Sequence, residues 1–209
     1  MPAMKKWSKV NLDFDIPVVV VVITSTLLLL ADHYFTVTSV KAFDRLVLFL
    51  IVPLVILLVG FRRKPSEFGF QLGDWRTGTW ITFVSMILIA PLIWLVLRFS
   101  PEMRAYYQVN RITVRFVVLA VLELIAWEFF FRGFMYFSYE EKFGDHALWL
   151  QAVPFAMAHI TKPAVETFTT LFGGFLFALV ARRTRSFLYP FLIHLFVALF
   201  TKFAAQSFL

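Results

Sequence analysis

The segment Leu122-Glu123-Leu124-Ile125-Ala126-Trp127-Glu128-Phe129-Phe130-Phe131-Arg132-Gly133 decides how this chain is read. It has the apolar composition of a membrane span, yet it contains two glutamates and an arginine. An ionisable side chain near the bilayer centre costs about 3 kcal/mol on insertion scales, so such groups face a bundle interior, pair with one another or do chemistry. Glu128 and Arg132 lie four residues apart, share one helix face and can pair there. From this stretch alone, a structural ion pair and a reaction centre are equally good readings.

Working outward, 60% of the 209 residues are hydrophobic and 27 are Phe, which excludes an ordinary soluble domain. Cysteine is absent, so disulfides, thiolate metal sites and a cysteine nucleophile are excluded as well. The formal charge of +7 does not point to nucleic acid in so apolar a chain. Basic loops that hold topology against anionic lipid account for it better. The expected fold class is all-α: a polytopic membrane helix bundle of about seven transmembrane helices.

The expected spans are residues 16–35, 43–61, 78–99, 116–139, 146–160, 164–181 and 186–203. A basic start before an apolar run can be a signal peptide, but no small-x-small pattern follows, so the first span reads as retained. Residues 66–77, with Trp75, suit an amphipathic segment at the interface. Pro91 predicts a kink. The short fifth span breaks at Thr161-Lys162-Pro163, and Pro163 suits the first turn of a new helix. Gly173, Gly174 and Ala178 give that helix a small face for close packing. Lys5/Lys6/Lys9, Arg62/Arg63/Lys64 and Arg182/Arg183/Arg185 fall on one side of this arrangement. The positive-inside rule makes that side cytoplasmic, with the N-terminus in and the C-terminus out. The loop with Arg104 and Arg111 runs against the trend. The chain reads as one membrane domain, 1–209, with N-terminal spans and the amphipathic loop in 1–112 and a catalytic-type core in 113–205.

Of the four histidines, His33 and His146 sit at predicted helix ends, whereas His159 and His194 lie inside apolar runs. Taken singly, a buried histidine is more often a hydrogen-bonded core residue than a catalyst. Depth argues otherwise here. At ~1.5 Å per residue from the cytoplasmic ends, Glu128 lies ~17 Å in, His159 ~20 Å and His194 ~14 Å. Three helices thus bring a carboxylate and two imidazoles to one level, which predicts a single site. A carboxylate can activate water, and imidazoles can move protons or polarise a carbonyl. No serine stands beside either histidine, which argues against covalent acyl transfer. Two His and one Glu also match a zinc ligand set. HExxH is absent, and ligand count alone leaves that open.

Glu128-(x3)-Arg132-Gly133, Phe155-(x3)-His159 and the late His194 resemble the three motifs of the CAAX-processing and bacteriocin-processing (CPBP) intramembrane endopeptidases. Leu72-Gly73-Asp74-Trp75-Arg76 is also similar to that family. The resemblance covers roughly residues 115–203 and implies peptide-bond hydrolysis within the membrane. In the family, the first of two paired glutamates activates water with the second-motif His. The third-motif His and a polar residue one turn on hold the oxyanion. A metal is not needed for this glutamate-water chemistry.

The sequence departs from the pattern twice. Trp127 stands where the first glutamate is expected, and Ala198 where the polar partner of His194 is expected. Similar sequences of a subgroup pair this Trp-Glu motif with His-x-x-Lys-Pro-x-x-Glu, which here runs from His159 through Lys162-Pro163 to Glu166. Glu166, at ~24 Å by the same count, is therefore expected to be a supplementary acid. Stabilisation of a helix N-terminus is its plainer role. The resulting expectation is an intramembrane endopeptidase acting on a membrane-associated protein or peptide, with Glu128, His159 and His194 as the core and Arg132 orienting Glu128. No metal is expected; the alternative is zinc on Glu128, His159 and His194. The setting is the lipid bilayer of a prokaryotic inner membrane, without nucleic acid. The alternative functions are an impaired relative that binds peptide or confers immunity, and a small proton-coupled transporter.

Overall fold

The computed structural model describes residues 13–108 and 111–208, and every regular element among them is helical. We label these α1 (Ile16–Tyr34), α2 (Lys41–Gly60), α3 (Trp75–Phe99), α4 (Pro101–Tyr107), α5 (114–143), α6 (Ala147–Met157), α7 (Ala164–Thr184) and α8 (Leu188–Gln206). Lys5, Lys6 and Lys9, used above for orientation, lie outside the described residues.

Local chemistry explains the helix starts. Asp15, Asp74, Ser100 and Thr113 each accept a backbone N–H from the first turn of α1, α3, α4 and α5. Pro163 precedes α7 directly, so the expected break falls where it was placed. The α7 helix ends at Arg185, in the left-handed conformation at φ 56°. Residues 66–77 form no long helix of their own. A 3-10 turn over Pro65–Phe68 leads into a loop fastened to the α7–α8 connection. Gly69 O accepts from Phe187 N, Thr184 O from Asp74 N, and Leu72 O from Tyr189 Oη. Gly73 (φ 55°) allows this approach, since a Cβ there would collide with the Thr184 carbonyl.

Five helices, α1, α2, α3, α7 and α8, are long and apolar enough to cross a membrane by length and composition. The remaining two expected spans differ from these. The α6 helix has 11 residues, a rise of ~17 Å, too short for a hydrocarbon core of about 30 Å. The α5 helix is long but carries Glu123, Glu128 and Arg132 in its apolar part. It also changes pitch: Phe129–Tyr136 is a π-helical stretch, with all eight residues buried. Such wide turns recur at functional sites. They rotate the residues that follow out of the 3.6 register in which a sequence is ordinarily read. Phe129, Phe130, Phe131, Phe134, Phe155 and Phe187 pack around this stretch as the main core.

One end of the bundle is laced by ion pairs. Arg63 binds Glu67 and Glu141, Arg182 binds Asp145 and Glu140, Arg185 binds Glu140, and Arg183 binds Asp74. Exposed pairs are individually weak, but these link the ends of α2, α5 and α7 to the start of α3. The hydroxyl and amide of Thr77, and then Arg183, hold the Asp74 carboxyl below the usual carboxylate range. The amide of Lys64, and then Arg63, does the same for Glu67. A carboxyl lowered in the folded state contributes stability above its unfolded value near ~4 and loses it as pH falls through the folded value. The melting temperature of the solubilised protein should therefore hold between about pH 7 and 5 and fall below about pH 4. Asp74→Asn should reduce that fall. A melting temperature independent of pH in the acid range would refute this.

Candidate active site

Arg132 is fully buried, and so is Glu128. The Arg132 guanidinium donates from Nη1 to Glu128 Oε1 at 3.2 Å and from Nη2 to the Gly174 carbonyl at 3.4 Å. The same carbonyl accepts Gln151 Nε2 at 2.9 Å. A glycine is needed here because a Cβ at 174 would press into Phe155 and Ala152. Phe155 also packs under the guanidinium, 4.0 Å from its ring centre. The small-residue face of α7 thus holds Arg132 in place through a bare backbone carbonyl. Gly173, predicted to share that face, meets nothing within 4 Å of its Cβ position.

His194 Nδ1 donates to Glu128 Oε1 at 2.6 Å, so one carboxylate oxygen receives both Arg132 and His194. The other, Oε2, is buried with no partner among the described residues. His159 Nδ1 lies 2.8 Å from the Phe155 carbonyl. A carbonyl only accepts, so this nitrogen carries the proton, and a neutral His159 presents a lone pair at Nε2. The two imidazoles lie 6.5 Å apart, centre to centre, at 31°. Glu128, Arg132 and His194 are therefore brought into direct contact, with His159 one ring away.

Trp127 occupies the space beside them. Its ring stands edge-on to His159 at 5.8 Å, and its indole N–H is buried without an acceptor among the described residues. Arg45 covers its face at 4.8 Å. Asp32 and Glu123 both pair with Arg45, which ties α1 and α2 to α5. Sequence reasoning passed over Asp32 and Arg45. Charges inside or at the ends of otherwise apolar runs were the available signal.

Glu166 is placed elsewhere. Its neighbour Thr167 reaches the His159 carbonyl at 2.6 Å, so the two backbones are close. The Glu166 carboxylate, however, accepts the Tyr107 hydroxyl, near Lys162. Ala198 offers no polar atom one turn beyond His194. Among the described residues, no three His, Asp or Glu side chains are placed to hold a metal ion. Glu128 and His194 bond to each other, rather than leaving both donors free for a shared ion.

A helical membrane bundle enclosing a buried carboxylate–guanidinium–imidazole centre is the class that fold and site define. Residues 108–200 match the family model described as type II CAAX prenyl endopeptidase Rce1-like, in agreement with the resemblance in its motifs. The match covers somewhat under half of the chain and is to a family of CPBP/CAAX-type endopeptidases. No curated protein and no solved structure gives a significant match.

Removing one partner of a buried pair leaves an uncompensated charge, typically at about 3–5 kcal/mol. Arg132→Met should thus lower the melting temperature sharply, and adding Glu128→Gln should recover part of the loss. A double variant no better than Arg132→Met alone would show that the pair is not coupled.

Proposed function

We propose that this protein is an intramembrane endopeptidase in which Glu128 and His159 activate water against a peptide bond of a membrane-associated substrate. The observation that carries this reading is the Glu128 carboxylate, fixed through Oε1 by Arg132 and His194 while Oε2 stays buried and unpartnered. Water bound to Oε2 gives up a proton as its oxygen attacks the substrate carbonyl carbon. That proton passes to Glu128 Oε2, while the His159 Nε2 lone pair accepts a hydrogen bond from the same water and orients it. In this step His194, held through Nδ1 by Glu128, is the residue placed to stabilise the developing oxyanion. The indole N–H of Trp127 is a further donor beside His159 and compensates for Ala198. Collapse of the intermediate breaks the C–N bond, and the leaving amine takes up the proton. Arg132 orients Glu128 and does not touch substrate.

The chemistry needs no metal on this reading. Purified active protein carrying stoichiometric zinc, with activity lost to a chelator and restored by zinc, would overturn that part. Because Tyr107 binds Glu166, we assign the base function to Glu128 and give Glu166 no proton to carry. Membranes containing the parent should yield new peptide N-termini, detected by mass spectrometry, that disappear with Glu128→Gln. His159→Asn and His194→Asn should each slow cleavage by about 10²-fold or more, and Glu166→Gln by less than tenfold. The same termini with parent and Glu128→Gln would remove the protease reading. A binding or immunity role, favoured by Trp127 and Ala198, would then take its place.

For topology we propose seven crossings in a prokaryotic inner membrane, α5 making one and the short α6 together with residues 158–163 that follow it making another. The N-terminus and the Arg63 end are then cytoplasmic. Single cysteines introduced at positions 64 and 184 should label from the same, cytoplasmic side. Labelling from opposite sides would refute the arrangement.

A further inference from the structure

The bundle end opposite Arg63 differs in its charge. Where α3, α4, α5, α7 and α8 meet, it carries Arg98, Arg104, Arg111, Arg115, Lys162 and Lys202, six cations. The carboxylates near these six, among the described residues, are Glu102, Glu166 and, deeper in α5, Glu123. Among the described residues, none of the six cations lies within 4 Å of a carboxylate oxygen, whereas the basic side chains of the Arg63 end largely pair. The cations at this end outnumber the carboxylates near them among the described residues.

Two of the six are ordered around one ring. Lys162 Nζ lies 5.3 Å from the centre of Tyr107 and 4.9 Å from Tyr106. Lys202 Nζ lies 5.2 Å from Tyr107 and 5.3 Å from Phe116. Tyr107 itself is buried, and its hydroxyl is spent on Glu166. Lys202 is within electrostatic reach of Lys162, Glu166 and Glu123. Glu166 can neutralise only one of the two ammonium groups, and Glu123 is already bound by Arg45. An aromatic face holds a cation in position without cancelling its charge. The lysines are thereby set as a pair, with a net positive charge left for an outside anion. The nearby turns of α7 and α8 carry open apolar side chains: Phe203 is 65% exposed and Phe168 76%.

We propose that Lys162 and Lys202, seated on Tyr107, bind the phosphate of an anionic phospholipid whose acyl chains lie along the Phe168 and Phe203 surface. The charge requires an anion, and the apolar flank requires that the anion belong to an amphiphile. Basic pockets between membrane helices that hold lipid headgroups have this composition. The site is independent of the peptidase reading, since none of its groups belongs to the proposed reaction.

The test is retention of lipid by the purified full chain, counted by native mass spectrometry after titration with phosphatidylglycerol or phosphatidylcholine. Phosphatidylglycerol should be retained at about tenfold lower concentration than phosphatidylcholine. Lys162→Gln/Lys202→Gln should abolish that preference, and Lys162→Arg/Lys202→Arg should keep it. The single glutamine variants should each lose part of it, which preserves the test if the double variant does not fold. Equal retention of the two lipids, or an undiminished preference in the glutamine variants, would overturn the proposal. Displacement of phosphatidylglycerol by millimolar inorganic phosphate would also overturn it, by showing a site for free phosphate.

Discussion

The buried contact between Glu128 and Arg132 constrains everything around it. A carboxylate and a guanidinium, both removed from solvent, persist in an apolar bundle only if their remaining hydrogen-bonding capacity finds partners. Arg132 finds the Gly174 carbonyl, which requires glycine on α7 and lets α6 and α7 approach closely. Glu128 finds His194, which fixes the rotation of α8. Phe155 packs under the guanidinium, and its backbone carbonyl orients His159. One ion pair thereby sets the mutual positions of α5, α6, α7 and α8, and the same four helices carry the proposed reaction.

The Trp127 substitution takes its meaning from this frame. A second glutamate at 127 would stand beside Arg45, which Asp32 and Glu123 already neutralise. An indole instead fills the space between Arg45 and His159 with apolar surface and offers its face to the cation. The site keeps one carboxylate next to two imidazoles. A single base suffices for a water-activating mechanism, provided that its free oxygen faces the substrate.

Much of this was legible in the sequence. The i,i+4 spacing of Glu128 and Arg132, the break at Pro163 and the long apolar runs are local features, set within a few residues. The similar depth of Glu128, His159 and His194 followed from a rise per residue. What was not legible depends on distant partners or on pitch. The π-helical stretch over Phe129–Tyr136 leaves no trace in a segment that is apolar or aromatic apart from Arg132 and Gly133, where most phases are hydrophobic. Arg45 meets Glu123 across 78 residues, and Tyr107 meets Glu166 across 59. Counting along helices placed Glu166 near the site in depth, but it could not show that a tyrosine from α4 would take its carboxylate. The extents of α5 and α6 were close to those expected, but their apolar composition does not by itself make them membrane spans. Hydropathy does not distinguish a helix facing lipid from one enclosed by its neighbours.

The central claim is that Glu128 and His194 form a hydrogen-bonded pair beside His159, whose own Nδ1–H is held by Phe155. Solid-state NMR of the bilayer-reconstituted protein with 15N-labelled histidine reads this directly, because only four histidines contribute. Two of them, His159 and His194, should carry a hydrogen-bonded proton on Nδ1. Glu128→Gln should shift the His194 Nδ1 resonance and leave the His159 Nδ1–H bonded to Phe155 essentially unchanged. A spectrum in which Glu128→Gln moves neither resonance would contradict the account, as would one in which neither histidine is protonated at Nδ1.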